Sequence, residues 1–172
     1  MSVNGVTQGG FIGEERDGNI ECIYYEHQVE IPRDASTGLA GPGTKHKPVL
    51  LRKLVDSTSP LFTAAMNTLE KLETVTFRFV PTVHPTGAPP AIYFVRLTGA
   101  SIASIKQFFL SSPSGTYMGW QLLEEITLYY QKIESGFNEK VQVSSFWPNA
   151  PSSLFGQRLE RPPRIEPPQT TA

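Results

Sequence analysis

At 172 residues the chain is long enough for one domain with a core of its own. Hydrophobic residues make up 39% and charged residues 18%, an ordinary soluble composition, and the formal net charge of -1 lacks the basic excess of a dedicated nucleic-acid binder. A single cysteine, Cys22, excludes an internal disulfide and with it a disulfide-stapled secreted domain. No run is long and apolar enough for a transmembrane helix, so no membrane insertion is expected. The N-terminus lacks the basic, apolar and small-residue pattern of a cleaved signal peptide.

Residues 1–10 are polar and glycine-containing, with nothing to bury, and Phe11-Ile12 is a candidate start of a short strand. Asp17-Gly18 is a turn signal. Residues 19–31 read as one long strand, with Ile23, Tyr25, Val29 and Ile31 on one parity, ended by Pro32, which cannot donate to a ladder. Residues 33–46 form a long loop in which Gly38, Gly41, Pro42 and Gly43 oppose regular structure; such loops in compact domains are usually functional or disordered. Charge is uneven here. Glu14, Glu15, Asp17, Glu21, Glu26 and Glu30 come early, and Lys45, Lys47, Arg52 and Lys53 follow the loop. They read either as two solvated faces or as complementary faces of neighbouring subunits.

Residues 47–80 read as strand, helix, strand. Val49 to Leu54 is an apolar run carrying two charges. Ser59-Pro60 marks a helix start, with Ser59 as N-cap and Pro60 in the first turn. Phe62, Ala65, Met66 and Leu69 then share one helix face, while Thr63, Asn67, Glu70 and Lys71 point elsewhere. After Leu72 the period becomes two, with Val75, Phe77 and Phe79 on the dry side. Beyond the broken segment 81–90, residues 91–98 form a strand, and 101–109 its antiparallel neighbour after Gly99. A loop spans 111–119. Residues 122–134 form the last long strand, with Ile126, Leu128 and Tyr130 inward, and 141–146 a final short one. From Trp147 the chain is proline-rich and supplies no core. The expected organisation is a β domain over 1–146 and a tail over 147–172. The fold class is mainly β: a small antiparallel β-barrel or two-sheet sandwich flanked by one short α-helix.

Residues that carry chemistry form no catalytic pattern. Ser114-Gly115 and Ser135-Gly136 lack the flanks of a nucleophile elbow. Cys22 and His27, five apart on one strand, face opposite ways. His27, His46 and His84 have no metal-ligand spacing, and Glu124-Glu125 point apart on a strand. The loop glycines do not match a phosphate-cradling loop. No enzyme activity, cofactor or metal is expected.

Three stretches taken in order, GNIECIYYEHQVEIPRDASTG, HKPVLLRKLVDSTSPLFTAAM and LLEEITLYYQKIE, resemble the hemolysin-coregulated protein (Hcp) family, which forms the inner tube of the bacterial type VI secretion system. The linked features are Gly18-Asn19-Ile20-Glu21, Glu26-His27, the Pro32-x-Asp34-x-x-Thr37-Gly38 loop, His46-Lys47-Pro48, Lys53-x-x-Asp56-x-x-Ser59-Pro60 and Tyr130-x-Lys132-Ile133. The resemblance implies a β-barrel subunit of homo-hexameric rings that stack into a tube, inside a contractile sheath and beneath a spike protein. It also implies residence in the bacterial cytoplasm followed by export without a cleaved signal. A second implied role is a secreted carrier that holds small effector proteins in the ring lumen. The long loop corresponds to the family's extended loop, so Arg33, Asp34, Thr37, Gly38, Gly41, Lys45, His46 and Lys47 are the expected inter-subunit contacts. Two departures stand out: only Met1-Ser2 precedes Val3, where family members carry a hydrophobic strand, and Ser135-Gly136 replaces a common Trp. The first leads to the expectation that residues 11–16 pair with the barrel while residues 1–10 stay largely unpaired.

Overall fold

The computed structural model describes residues 1–15, 17–80, 91–110 and 121–146. The segment 81–90 with His84, the loop 111–119 and the tail from 147 lie outside them. The elements in order are β1 (Ser2–Gly5), β2 (Gly9–Phe11), β3 (Tyr24–Glu26), β4 (Val29–Glu30), β5 (Lys45–His46), β6 (Val49–Leu54), α1 (Ser59–Asn67), β7 (Leu72–Phe79), β8 (Tyr93–Leu110), β9 (Gln121–Tyr129), β10 (Lys132–Phe137) and β11 (Lys140–Phe146). Among the described residues the fold is mainly β with one short helix. All ladders are antiparallel, in the order β2-β1-β7-β8-β9-β6-β3, with β10 also on β8 and β11 on β10; β4 and β5 form a sheet of their own.

The strand β8 runs through both halves of the fold. Its first half lies between β7 and β10, with Leu97 opposite Val75 on one side and Ile133 on the other. Its second half pairs with β9, Ile105 opposite Ile126. The expected pair of strands on either side of Gly99 is therefore one continuous strand. Gly99 adopts a φ of 61°, and a Cβ there would stand 2.6 Å from Gln131 Oε1, so this backbone bend requires glycine. With the register shift between Ile102 and Ser104, it bends the strand instead of reversing it. The expected strand 122–134 breaks opposite that bend, at Tyr130-Gln131, where the chain passes from β9 to β10.

The sheet curls until its ends meet. Tyr25 on the edge strand β3 packs on Phe77 and Phe79 of β7, with ring centroids 4.8 and 5.2 Å apart. The Met1 amine donates to the Ile20 carbonyl, and the Ile20 amide to the Met1 carbonyl, each at 2.7 Å. This stitch joins the two ends in place of a ladder. It also corrects the expectation for the N-terminus: β1 pairs with β7, Val3 opposite Val75, and β2 folds back onto β1, Val3 opposite Phe11. Val3 and Phe11 are buried, and the turn between them is fixed by Glu70, which accepts the Thr7 and Gln8 amides at 2.7 and 2.8 Å.

Residues 19–31 are likewise not one strand. The chain pairs with β6 through β3, leaves it at His27-Gln28, and pairs with β5 through β4. Ile20 is the fully buried side chain of this stretch, while Ile23, Val29 and Ile31 are exposed. The helix also departs from expectation at both ends. Its N-cap is Thr58 without a side-chain cap bond, because the Thr58 hydroxyl donates to Asp56 Oδ1; Ser59 Oγ accepts from the Asp56 amide. Phe62 and Ala65 are buried, but Leu69 is 81% exposed. Leu69 has a φ of 53°; its amide bonds the Met66 carbonyl and the Glu70 amide the Ala65 carbonyl, a Schellman cap that rotates Leu69 outward. The core lies between the curled sheet and α1 and gathers Val49, Leu51, Phe62, Leu72, Val75, Leu97, Ile126 and Leu128 among others; burial of each stabilises the fold by about 1.5–3 kcal/mol.

Candidate functional site

The loop 33–46 has regular structure in spite of its glycines. It is the end of an arm whose shaft is the β4–β5 pair, Val29 opposite His46 and Glu30 opposite Lys45, continued at the base by the Lys47 amide bonding the Gln28 carbonyl at 2.9 Å. Farther out, Gly41 N–H donates to the Pro32 carbonyl at 2.7 Å, and Arg33 bridges Ala40. Asp34 builds the tip. One carboxylate oxygen, Oδ1, accepts the Ser36 hydroxyl and amide at 2.6 and 2.9 Å and the Thr37 amide and hydroxyl at 2.8 and 3.0 Å. The Ser36 hydroxyl, followed by the Thr37 donors, holds the Asp34 carboxyl well below the usual carboxylate range. Asp and Ser at these spacings form such turns from local bonds alone.

All eight predicted contact residues therefore lie on one arm. Arg33, Asp34, Thr37 and Gly38 are at the tip, Gly41 on the shaft, Lys45 and His46 in β5, and Lys47 at the base. The arm exposes apolar side chains it cannot cover: Val29 at 48%, Ile31 at 52% and Leu39 at 70%. The early acidic and later basic groups meet within the chain where Lys47 pairs with Glu30 at 3.0 Å, while Arg52 pairs with Glu125 of β9 at 2.8 Å.

Two polar clusters hold the arm and the barrel beneath it. The first is buried. Lys53 and Glu124 sit opposite each other on β6 and β9, both with 0% side-chain exposure, and their side chains pair at 2.9 Å. Lys53 Nζ also donates to Asp56 Oδ1 at 2.8 Å and to the Leu54 carbonyl at 2.7 Å, and the Ser59 hydroxyl donates to Glu124 at 2.8 Å. Burial pushes the Asp56 carboxyl up, but the Lys53 ammonium and the Thr58 hydroxyl and amide outweigh it and hold it below the ordinary value. Lys53, one of the basic residues read as a solvated or subunit-facing charge, is buried instead; its parity with Val49 and Leu51 is the sequence signal that places it inside.

The second cluster is at the base of the arm. His27 Nε2 lies 2.7 Å from the Tyr130 hydroxyl, and His46 Nδ1 lies 3.3 Å from the same oxygen. The imidazoles stack with centroids 5.5 Å apart. Burial, then the neighbouring His46, lowers the pKa of His27; burial alone lowers that of His46. His27 and Tyr130 are distant in sequence; the inward parity of Tyr130 is legible from the strand pattern, but nothing local signals that both histidines converge on it. Neither cluster holds an exposed nucleophile. Burial raises the Cys22 thiol to about 11, which keeps it protonated at neutral pH.

Comparison with known proteins agrees with this architecture. The family model described as "Type VI secretion system effector, Hcp" matches residues 1–137. A Pseudomonas aeruginosa protein named "Major exported protein" is 30% identical over 146 residues, covering 77% of this chain and 84% of its own. Among solved structures, the crystal structure of an Hcp protein aligns with a TM-score of 0.75 at 19% identity, over 86% of this chain and 96% of that one. A variant of the Hcp1 protein from E. coli EAEC 042 aligns with a TM-score of 0.71 at 21% identity, over 85% and 95%. The secreted protein Hcp3 of Pseudomonas aeruginosa gives 0.66 at 23%, over 86% and 96%. At these identities the structural likeness speaks for the fold.

Proposed function

The chain belongs to the Hcp family and is a subunit of the type VI secretion system tube; from that premise we propose that it works as homo-hexameric rings whose arms, residues 28–47, grip the adjacent subunit or ring. The observation that carries this reading is the arm itself. Its tip is fully organised by Asp34, while Val29, Ile31 and Leu39 are left in water. A preformed hairpin that exposes apolar side chains is organised for a partner, because the ordering is complete before contact. Arg33, Asp34, Thr37, Gly38, Gly41, Lys45 and Lys47 present backbone and charge along the same arm.

In this reading the chain is a structural component, not an enzyme. Its partners are further copies of itself, the spike at the end of the tube, the sheath around it and small effectors in the ring lumen. It is made in the cytoplasm and expelled with the tube, and the naming of its Pseudomonas aeruginosa relative as a major exported protein supports that route. Deleting Ser36–Gly43 separates folding from assembly. The variant is expected to unfold at the same temperature as the parent and to lose ring stacking in negative-stain images and sedimentation. Stacking that survives the deletion would overturn the assignment of the arm.

A further inference from the structure

Among the described residues, the arm has no backbone ladder to the barrel beyond its two feet. The β4–β5 pair is a separate sheet, and its feet continue at His27-Gln28 into β3 and at Lys47-Pro48 into β6. What ties its base to the barrel wall is the shared Tyr130 hydroxyl, reached by His27 from one foot and by His46 from the other. Beside the three rings is a cleft of about 390 Å³ between the arm and β8, β10 and β11, which Tyr25, Thr44, Tyr93, Ser135 and Ser145 help to line.

Strand alternation decides which charges face this cleft. On β3 and β4 the facing residues are Tyr25, His27 and Val29, so Glu26 and Glu30 point away; Glu26 bonds the Tyr24 hydroxyl and Glu30 pairs with Lys47. On β5 and the residues flanking it, Thr44 and His46 face it, and Lys45 and Lys47 do not. On β8, Tyr93 and Val95 face it, and Arg96 does not. On β10, Ile133 and Ser135 face it, while Lys132 and Glu134 pair with each other. On β11, Val143 and Ser145 face it, and Lys140 does not. Among the described residues, the two imidazoles and the phenols are thus the ionisable groups of the cleft, and no carboxylate is placed to balance a positive charge there.

We propose that His27, Tyr130 and His46 form a proton-operated latch, which holds the arm on the barrel while both imidazoles are neutral and frees it when they take up protons. The proposal rests on the reading of the arm as the assembly element and adds how that element is regulated. Hydrogen bonding does not drive the release. With both rings protonated, each still donates to the Tyr130 oxygen, whose own proton turns to the Lys47 carbonyl 3.5 Å away. Like charge drives it: two imidazolium rings stacked at 5.5 Å, half-buried and without a counter-ion, repel each other, and swinging the arm out returns both to water. The sign follows from linkage. Both folded-state pKa values lie below the ordinary 6.5, so the closed arm is fully favoured above that pH and loses stability as the pH falls through it toward the lower values.

The test uses the full chain and amide exchange, corrected for the intrinsic pH dependence, at Glu30, Lys45 and Lys47, whose N–H groups face across the β4–β5 pair; a two-stranded hairpin freed from the wall is only marginally stable and opens to exchange. Protection at these amides is expected to fall by about tenfold from about pH 7.5 to about pH 5, in step with the titration of the two imidazoles by NMR, while β7 and β8 amides hold theirs. The double variant His27→Gln, His46→Gln is expected to show a flat profile. Imidazoles that titrate with no loss of protection, or an equal loss in the double variant, would overturn the latch. Ring stacking is followed on the same samples. Protection that falls while stacking stays constant leaves the latch standing and overturns the assignment of the arm to assembly instead.

Discussion

The barrel and the arm secure their carboxylates in opposite ways. Glu124 is fully buried, held by the Lys53 ammonium and the Ser59 hydroxyl, and these groups come from β6, α1 and β9. Asp34 is in open solvent and holds donors from residues two and three positions along the chain. Water around Asp34 competes for every bond it makes, so its turn has a shape but little depth of stability. Around Glu124 no water competes, and the ion pair is bound to the packing of three elements. On the proposed reading, one chain thus contains a rigid wall and a contact element with a separate basis of order. The wall keeps its polar groups by burial, and the arm keeps its form by local bonding, which leaves its apolar side chains free for a neighbour.

Removing partners on the two sides should break this contrast unequally. The largest effect is expected for Glu124→Ala, which leaves the Lys53 ammonium buried with part of its compensation gone; the loss is about 3–5 kcal/mol in equilibrium denaturation. A variant as stable as the parent would show that the Lys53 environment is open to water. Phe62→Ala is expected to cost a similar 3–5 kcal/mol through the cavity left where the ring meets Phe11 edge to face at 5.1 Å. Its control, Thr63→Ala on the exposed side of the same helix, should change stability by less than about 0.5 kcal/mol. Equal melting temperatures for these two would refute the assignment of the helix face. The smallest global effect is expected for Asp34→Ala, which should leave the unfolding midpoint unchanged and release only the Ser36 and Thr37 amides to exchange. A cooperative loss of barrel stability in that variant would erase the distinction between the two regions.

Much of the wall could be read from residues alone. Val49 to Leu54 was delimited to the residue, and Val75, Phe77, Ile126 and Leu128 were placed inward, because a period of two with one dry face is written into consecutive residues. Leu69 falls outside because the i+7 rule presumes that the helix continues, whereas it ends at Asn67, two residues earlier, in a Schellman cap. Residues 19–31 and 122–134 were read as unbroken strands because periodicity carries no information about a change of partner. For the arm, the residues alone indicated a long Gly- and Pro-containing loop; the likeness to a tube-forming family supplied its expected role.

By itself, then, the sequence determined the fold class, the single helix, the inward parity of the main strands and the family, all of which depend on residues within a few positions of one another or on the order of short motifs. The tertiary structure decided that Met1 stitches to Ile20, that Lys53 faces Glu124 across β6 and β9, and that His27 and His46 converge on Tyr130. These are encounters between residues from 19 to 103 positions apart. Strand order and register settle them, and those are set by how the whole sheet curls around one core, a collective outcome that no local stretch of the chain encodes.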